Sequence, residues 1–182
     1  MLDAAKQLFI EHGYSRTTMD DIADRAGFGV ATLYNYFRTK EGIFATMARE
    51  DMSELEQAGE DTLQRLAEDP VDAIFALLQV YNRVYEFISF GLMQEFIIQS
   101  KGSGPLHEVS AWVLGWQQKQ VANALQHCQE RGRIAENLDC KLTAEIIIDL
   151  LIRHHQRRSA ADEKLQEVER LKVKLALILH GW

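Results

Sequence analysis

The sequence predicts an all-α protein, and three observations carry that prediction. Apolar residues recur every three or four positions along most of the chain, the spacing that gathers side chains on one face of a helix. The glycines fall mostly in the gaps between such segments, and only two prolines occur, Pro70 and Pro105. Of the 182 residues, 47% are hydrophobic and 26% charged, so the chain can build a sizeable core and is not a disordered polyelectrolyte. That length suits one domain or two small ones.

The elements follow in order. Ala4, Ala5, Leu8 and Phe9 mark a first helix, which Gly13 terminates. After a turn through Tyr14 to Thr17, Thr18 caps a second helix, and Asp21, three residues on, completes a capping box. Ile22, Ala23 and Ala26 supply its buried face. Gly27-Phe28-Gly29 forms a tight turn, beyond which Ala31, Leu33, Tyr34 and Phe37 carry helical spacing in a short third helix. Thr39 caps a long amphipathic helix running through Ile43, Met47 and Leu55 toward Leu66. Asp69-Pro70, a capping residue followed by proline at the first helical position, restarts the chain.

Residues 71 to 99 are so apolar that they belong largely inside the molecule, as two helices broken near Gly91. Lys101 to Pro105, with Gly102 and Gly104, reads as a loop. A long helix then spans Leu106 to about Arg131 and stops at Gly132, and two further helices, near 141–157 and 162–180, complete the chain.

Charge and residue chemistry exclude several classes of function. Twenty Lys and Arg against 27 Asp and Glu leave a net charge of −7, so any contact with nucleic acid must be local rather than a general polyanion coat. Cys128 and Cys140 make neither a disulfide framework nor a CxxC pair, which fits an intracellular, reducing setting. Met1 opens directly into an amphipathic pattern, and no apolar run approaches the roughly 18 residues of a membrane span, so the expectation is a cytoplasmic protein with no membrane partner. His107, His127, His154 and His155 lack metal-ligand spacing, and neither a metal nor another cofactor is expected. Glu54 and Glu56, like Glu167 and Glu169, stand two apart and splay on a helix. Without a nucleophile–base pair or a phosphate loop, nothing points to an enzyme.

Two short helices joined by a glycine-containing turn have the form of a helix-turn-helix. The run from Thr17 to Phe44, TTMDDIADRAGFGVATLYNYFRTKEGIF, resembles the TetR family of transcriptional regulators in its order of Thr-Thr, Ile-Ala, Ala-Gly, Leu-Tyr, Tyr-Phe and Lys-Glu. The resemblance implies that Tyr34 and Lys40 contact phosphates and that Thr18 lies where a helix N-terminus meets the DNA backbone. It also places base readout on Val30, Ala31, Thr32, Asn35 and Tyr36. Chemistry is compatible with both roles. Between Arg25 and Lys40 there are three basic residues and no acidic one, and Val30, Ala31 and the Thr32 methyl suit thymine methyl groups while Asn35 suits an adenine edge.

Departures from the family pattern occur at Gly29, where a capping Ser or Thr is common, and at Val30, where Lys or Arg is frequent. Relatives commonly carry a basic arm ahead of the first helix. Here the helix starts at once, so either the protein has no such arm or the sequence is truncated. Tyr34, Tyr36 and Phe37 can also be read as core aromatics, the better reading for Phe37 alone.

By the same resemblance, residues 1–45 form the DNA-binding domain and residues 46–182 a helical domain that binds a small effector and dimerises. Ile146, Ile147, Leu150, Leu151, Leu165, Val168, Leu171, Leu175, Ile178 and Leu179 offer more apolar surface than one small core absorbs, which suggests a homodimer through the last two helices. Phe75, Leu78, Tyr81, Tyr85, Phe87, Met93, Phe96, Trp112 and Trp116 either line an apolar effector cavity or fill a core. Gln79, Asn82, Arg83 and Glu86 either punctuate that cavity or form a solvated face. The expectation is therefore a homodimeric repressor, released from a palindromic double-stranded DNA operator by a small hydrophobic or aromatic effector that changes the angle of the Thr39–Leu66 helix. The alternative is an all-helical protein-interaction module without DNA binding.

Overall fold

The computed structural model describes residues 1–87, 103–156 and 164–180, and every regular element in them is helical. In chain order these are α1 (Leu2–His12), α2 (Met19–Ala26), α3 (Val30–Phe37), α4 (Lys40–Leu63), α5 (Pro70–Phe87), α6 (Pro105–Glu130), α7 (Cys140–Gln156) and α8 (Lys164–His180). The all-α expectation holds. The break expected near Gly91 lies outside the described residues, as do Lys101 and Gly102 of the expected loop.

Local chemistry sets most of the helix ends. Gly13 and Gly27 stop α1 and α2 with φ of 84° and 69°, a region that L side chains rarely occupy. Thr18 and Asp21 form the full capping box at the start of α2, with Asp21 N donating to Thr18 Oγ1 at 3.1 Å and Thr18 N donating to Asp21 Oδ2 at 2.8 Å. Thr39 Oγ1 accepts from Gly42 N at 3.0 Å, and Asp69 Oδ1 accepts from Asp72 N at 2.9 Å. Asp139, which the sequence reading did not single out, caps α7 by accepting from the N–H groups of Lys141 and Leu142, each at 3.0 Å. Helix α4 stops short of Leu66, because Arg65 N turns back to the Thr62 carbonyl at 3.0 Å in a tighter last turn.

The chain divides into two compact units, Met1–Glu54 with Val84–Val113, and Leu55–Arg83 with Leu114–Trp182. In the first, α1 to α3 and the start of α4 enclose a core of Leu8, Phe9, Tyr14, Ile22, Leu33, Ile43 and Phe44, to which α6 adds Leu106 and Val109. Phe9, Tyr14 and Phe44 pack mutually, with ring centroids 5.2 to 5.7 Å apart in tilted and edge-on arrangements. Tyr14 thus belongs to the core although the sequence places it in a turn. In the second unit the buried side chains include Ile74, Leu77, Leu78 and Tyr81 of α5, Val121, Leu125 and Cys128 of α6, Ile147, Ile148 and Leu151 of α7, and Leu171, Leu175 and Leu179 of α8.

Candidate nucleic-acid interface and effector region

Helix α3 is anchored by one side chain and leaves most of its remaining surface open. Leu33 is fully buried, and Phe37 and Val30 are half-buried against the core of the first unit. Ala31, Tyr34, Asn35 and Tyr36 are exposed, with Tyr34 at 49% and Tyr36 at 73%. This is the amphipathic division of a helix that binds its own domain on one side and a partner on the other. Val30 therefore spends part of its side chain on packing, and Thr32 is half-buried. Gly29 precedes α3 with no side-chain cap, as its lack of a hydroxyl requires.

The cations around this face are used differently. Lys40 Nζ donates to the carbonyls of Tyr14 and Thr17, each at 2.7 Å, and lies 4.4 Å from the Tyr14 ring centroid. It ties the α1–α2 turn to the start of α4, an anchoring role that its sequence position does not reveal. Arg25 is paired with Glu11 at 3.0 Å, and this guanidinium holds the Glu11 carboxyl below its ordinary range. Arg38, which the sequence reading passed over, is exposed at the end of α3 with φ of 61°, an unusual backbone conformation for a residue with a side chain. Gly42 completes the corner. A Cβ there would meet the Phe37 carbonyl oxygen at 2.1 Å, so glycine is what allows α4 to start against the end of α3.

The candidate effector residues fall in both units. In the second unit, Leu78 and Tyr81 are fully buried, and the Tyr81 and Trp116 rings meet edge-on at 5.2 Å between centroids. Phe75 is half-buried, with Lys172 Nζ 4.8 Å from its ring centroid and bonded to Asp72 at 3.0 Å. Trp112 belongs to the other unit, where the Arg49 guanidinium lies 5.9 Å from its ring centroid. Met93 and Phe96 lie outside the described residues, as do the side chains of Tyr85 and Phe87. Gln79 is exposed and Asn82 half-buried.

Sequence reasoning missed the polar centre of the second unit, which is built on α6. Gln120 Oε1 accepts from the Tyr81 hydroxyl at 2.8 Å, and Gln120 Nε2 donates to the Glu56 carbonyl at 2.9 Å and to Glu60 Oε1 at 3.1 Å. Burial, then the nearby Glu60 charge, pushes the Tyr81 hydroxyl pKa upward, so this phenol stays a neutral donor. The available signal was the spacing of Gln117 and Gln120 with Val121 and Ala124, which puts both glutamines on a face that is otherwise apolar. Burial also raises both thiols, Cys128 and Cys140, above their ordinary range and leaves them poorly suited to redox sensing.

A sequence model described as "Bacterial regulatory proteins, tetR family" matches residues 1–47, the segment that holds α1 to α3 and the start of α4. Residues 1–47 are therefore a DNA-binding region of the TetR family. That region and the repressor relatives support a DNA-binding transcriptional regulator and do not favour the protein-interaction module. The chain is similar to the "Probable acrEF/envCD operon repressor" of Escherichia coli (strain K12), 29% identical over 82% of this chain and 69% of that protein. Solved structures share the fold beyond that segment. A Bacillus subtilis FadR in complex with stearoyl-CoA superposes with a TM-score of 0.74 at 21% identity, covering 100% of this chain and 97% of that one. For Thermus thermophilus FadR in complex with lauroyl-CoA the TM-score is 0.71 at 20% identity, covering 99% and 92%. Among the described residues no helix is long and apolar enough to cross a membrane.

Proposed function

We infer that the protein is a homodimeric cytoplasmic repressor that leaves a palindromic operator when a small apolar effector binds, with a regulatory rather than a catalytic role. The observation that carries this reading is the open face of α3, with Ala31, Tyr34, Asn35 and Tyr36 exposed opposite a fully buried Leu33. Asn35 and Tyr36, with Ala31 and the exposed parts of Val30 and Thr32, read base edges. Tyr34 and the α2 start at Thr18 meet phosphates, and Lys40 adds charge from an anchored position. Arg38 joins this set as a further phosphate ligand. The DNA-binding domain is residues 1–45, and residues 46–182 sense the effector and dimerise.

The dimer reading draws on the outer sides of the last two helices. Ile147, Leu151, Leu171, Leu175 and Leu179, counted by the sequence reading toward an interface, are buried within the single chain. Leu165 and Val168 have side chains outside the described residues. Of that set Ile146 is exposed, and it stands with Leu142 on α7 as Val173 stands with Leu177 on α8, each pair one helical turn apart. Such stripes gain from being covered, and a twofold pair of these helices makes a four-helix interface. A twofold dimer also presents two copies of α3 to half-sites about 34–36 Å apart.

Release works as a shift between two populations. Gln120 grips α4 at Glu56 and Glu60, and the same helix begins at Lys40 beside the DNA-reading helix. An effector that binds among Leu78, Tyr81 and Trp116 alters that grip, and a differential affinity of about 1–3 kcal/mol changes operator binding roughly 5–150-fold. The acyl chains bound by the two FadR structures support an apolar effector. The test is duplex binding at about 50 and 200 mM salt, using a sequence selected from a random library. The reading expects saturable, salt-dependent binding of one dimer per palindrome, and an absence of duplex binding at both salts contradicts it.

A further inference from the structure

Gln117 is a buried residue that the chain leaves unanswered. Its side chain is 0% exposed, and among the described residues neither Oε1 nor Nε2 has a hydrogen-bond partner. The indole Nε1 of adjacent Trp116, a residue 6% exposed, is buried and unpartnered as well. Gln120, three positions along the same helix, uses both its amide atoms on Tyr81, Glu56 and Glu60. One buried glutamine is thus satisfied by the protein and its neighbour is not. An orphaned buried amide destabilises a fold, and a leucine would pack there without that cost, so Gln117 is poised to take a partner that the described residues do not supply.

We propose that Gln117 and Trp116 receive the polar end of the effector, and that this end is an uncharged group that both donates and accepts hydrogen bonds, a carboxamide or hydroxyl on an apolar body. The inference rests on the effector reading above and specifies the ligand of that site. The indole N–H and Gln117 Nε2 only donate, while Gln117 Oε1 only accepts. A ligand end with acceptors alone, such as a thioester carbonyl, leaves Oε1 unanswered. An ammonium, with donors alone, leaves both N–H groups unanswered. A carboxylate brings a charge, and among the described residues the buried polar ones are Thr17, Gln117, Gln120 and Thr143, none of them charged. An unpaired charge in such surroundings is disfavoured. The Tyr81 ring, edge-on to Trp116, supplies apolar surface for the rest of the molecule.

The full chain is titrated with octanamide, octan-1-ol, octanoate and octylammonium, which share one chain length and differ at the head. Binding is read from tryptophan fluorescence and melting temperature. Octanamide and octan-1-ol are expected to bind at least roughly tenfold more tightly than the two ions, and Gln117→Leu to weaken octanamide by roughly tenfold. Trp116→Phe, which keeps an aromatic ring but loses the donor, weakens it in the same direction and serves if the Gln117 variant does not fold. Equal binding of all four probes, or binding of none, overturns the proposal. So does a Gln117→Leu protein that melts lower and keeps the head-group ranking, which marks a resident water only. Octanamide that binds through Gln117 yet leaves the selected duplex bound supports this site and overturns only its role in release.

Discussion

Gln120 occupies the space that a side chain on Gly59 would need: a Cβ at Gly59 would meet Gln120 Oε1 at 2.0 Å and its Cδ at 2.8 Å. The glycine lets a buried amide from α6 reach the backbone of α4 at Glu56. Gly59→Ala must therefore push Gln120 off three partners. The better helix propensity of alanine returns at most about 1 kcal/mol, while each buried group left unpaired costs about 1–3 kcal/mol. A net loss of about 1–3 kcal/mol is expected, read as a fall in melting temperature of about 2–4 °C per kcal/mol. An unchanged or higher melting temperature would show that Gln120 is not held there.

Tyr81→Phe keeps the ring against Trp116 and removes the hydroxyl that Gln120 Oε1 accepts from. It should destabilise by about 1–3 kcal/mol. The double variant with Gln120→Leu should cost less than the sum of the two single changes, because both remove the same bond. Denaturant midpoints of the four proteins close this cycle, and strict additivity argues against the bond.

Lys40 and Tyr34 should separate in their effects. Lys40 holds two backbone carbonyls, so Lys40→Ala lowers stability by about 1–2 kcal/mol as well as weakening DNA and flattening its salt dependence. Tyr34 is half exposed on the outer face of α3, so Tyr34→Phe weakens DNA binding with little change in melting temperature. Melting curves beside duplex titrations at two salts distinguish these outcomes. A Lys40→Ala protein with wild-type stability would contradict the anchoring role.

The α2 cap gives a pH dependence of known sign. The Thr18 hydroxyl, then the Thr18 backbone N–H, hold the Asp21 carboxyl below its ordinary value of 3.8. Because the folded value is lowered, this cap contributes stability above the unfolded value, and the contribution is lost as pH falls through the folded one. Urea midpoints of wild type and Asp21→Asn should therefore differ near neutral pH and converge in acid. A constant gap across that range would exclude the carboxylate as its source.

The sequence made the helical framework legible because its punctuation is local. Gly13, Thr18, Gly27, Thr39 and Asp69 act on the residues beside them, and each sits at a helix end as its chemistry demands. The outward face of α3 was legible for the same reason, since Leu33 and Phe37 share one side of a short helix. Long-range partnerships were not. Lys40 meets carbonyls 23 and 26 residues away, and Gln120 meets Glu56 across 64. Neither distance has a periodic signature. The same limit applies to the last two helices, where apolar side chains serve both the chain's own core and an exposed stripe, and spacing alone does not sort Ile147 from Ile146.

The central claim, that the open face of α3 reads DNA, is tested most directly by the ratio of affinities for a selected duplex and a scrambled one, measured for wild type, Asn35→Ala and Tyr36→Ala. Each base contact is worth about 1–3 kcal/mol of discrimination, so both variants should lose roughly 5–150-fold of that ratio while keeping their affinity for the scrambled duplex. A ratio that survives both substitutions unchanged would mean that another surface reads the operator.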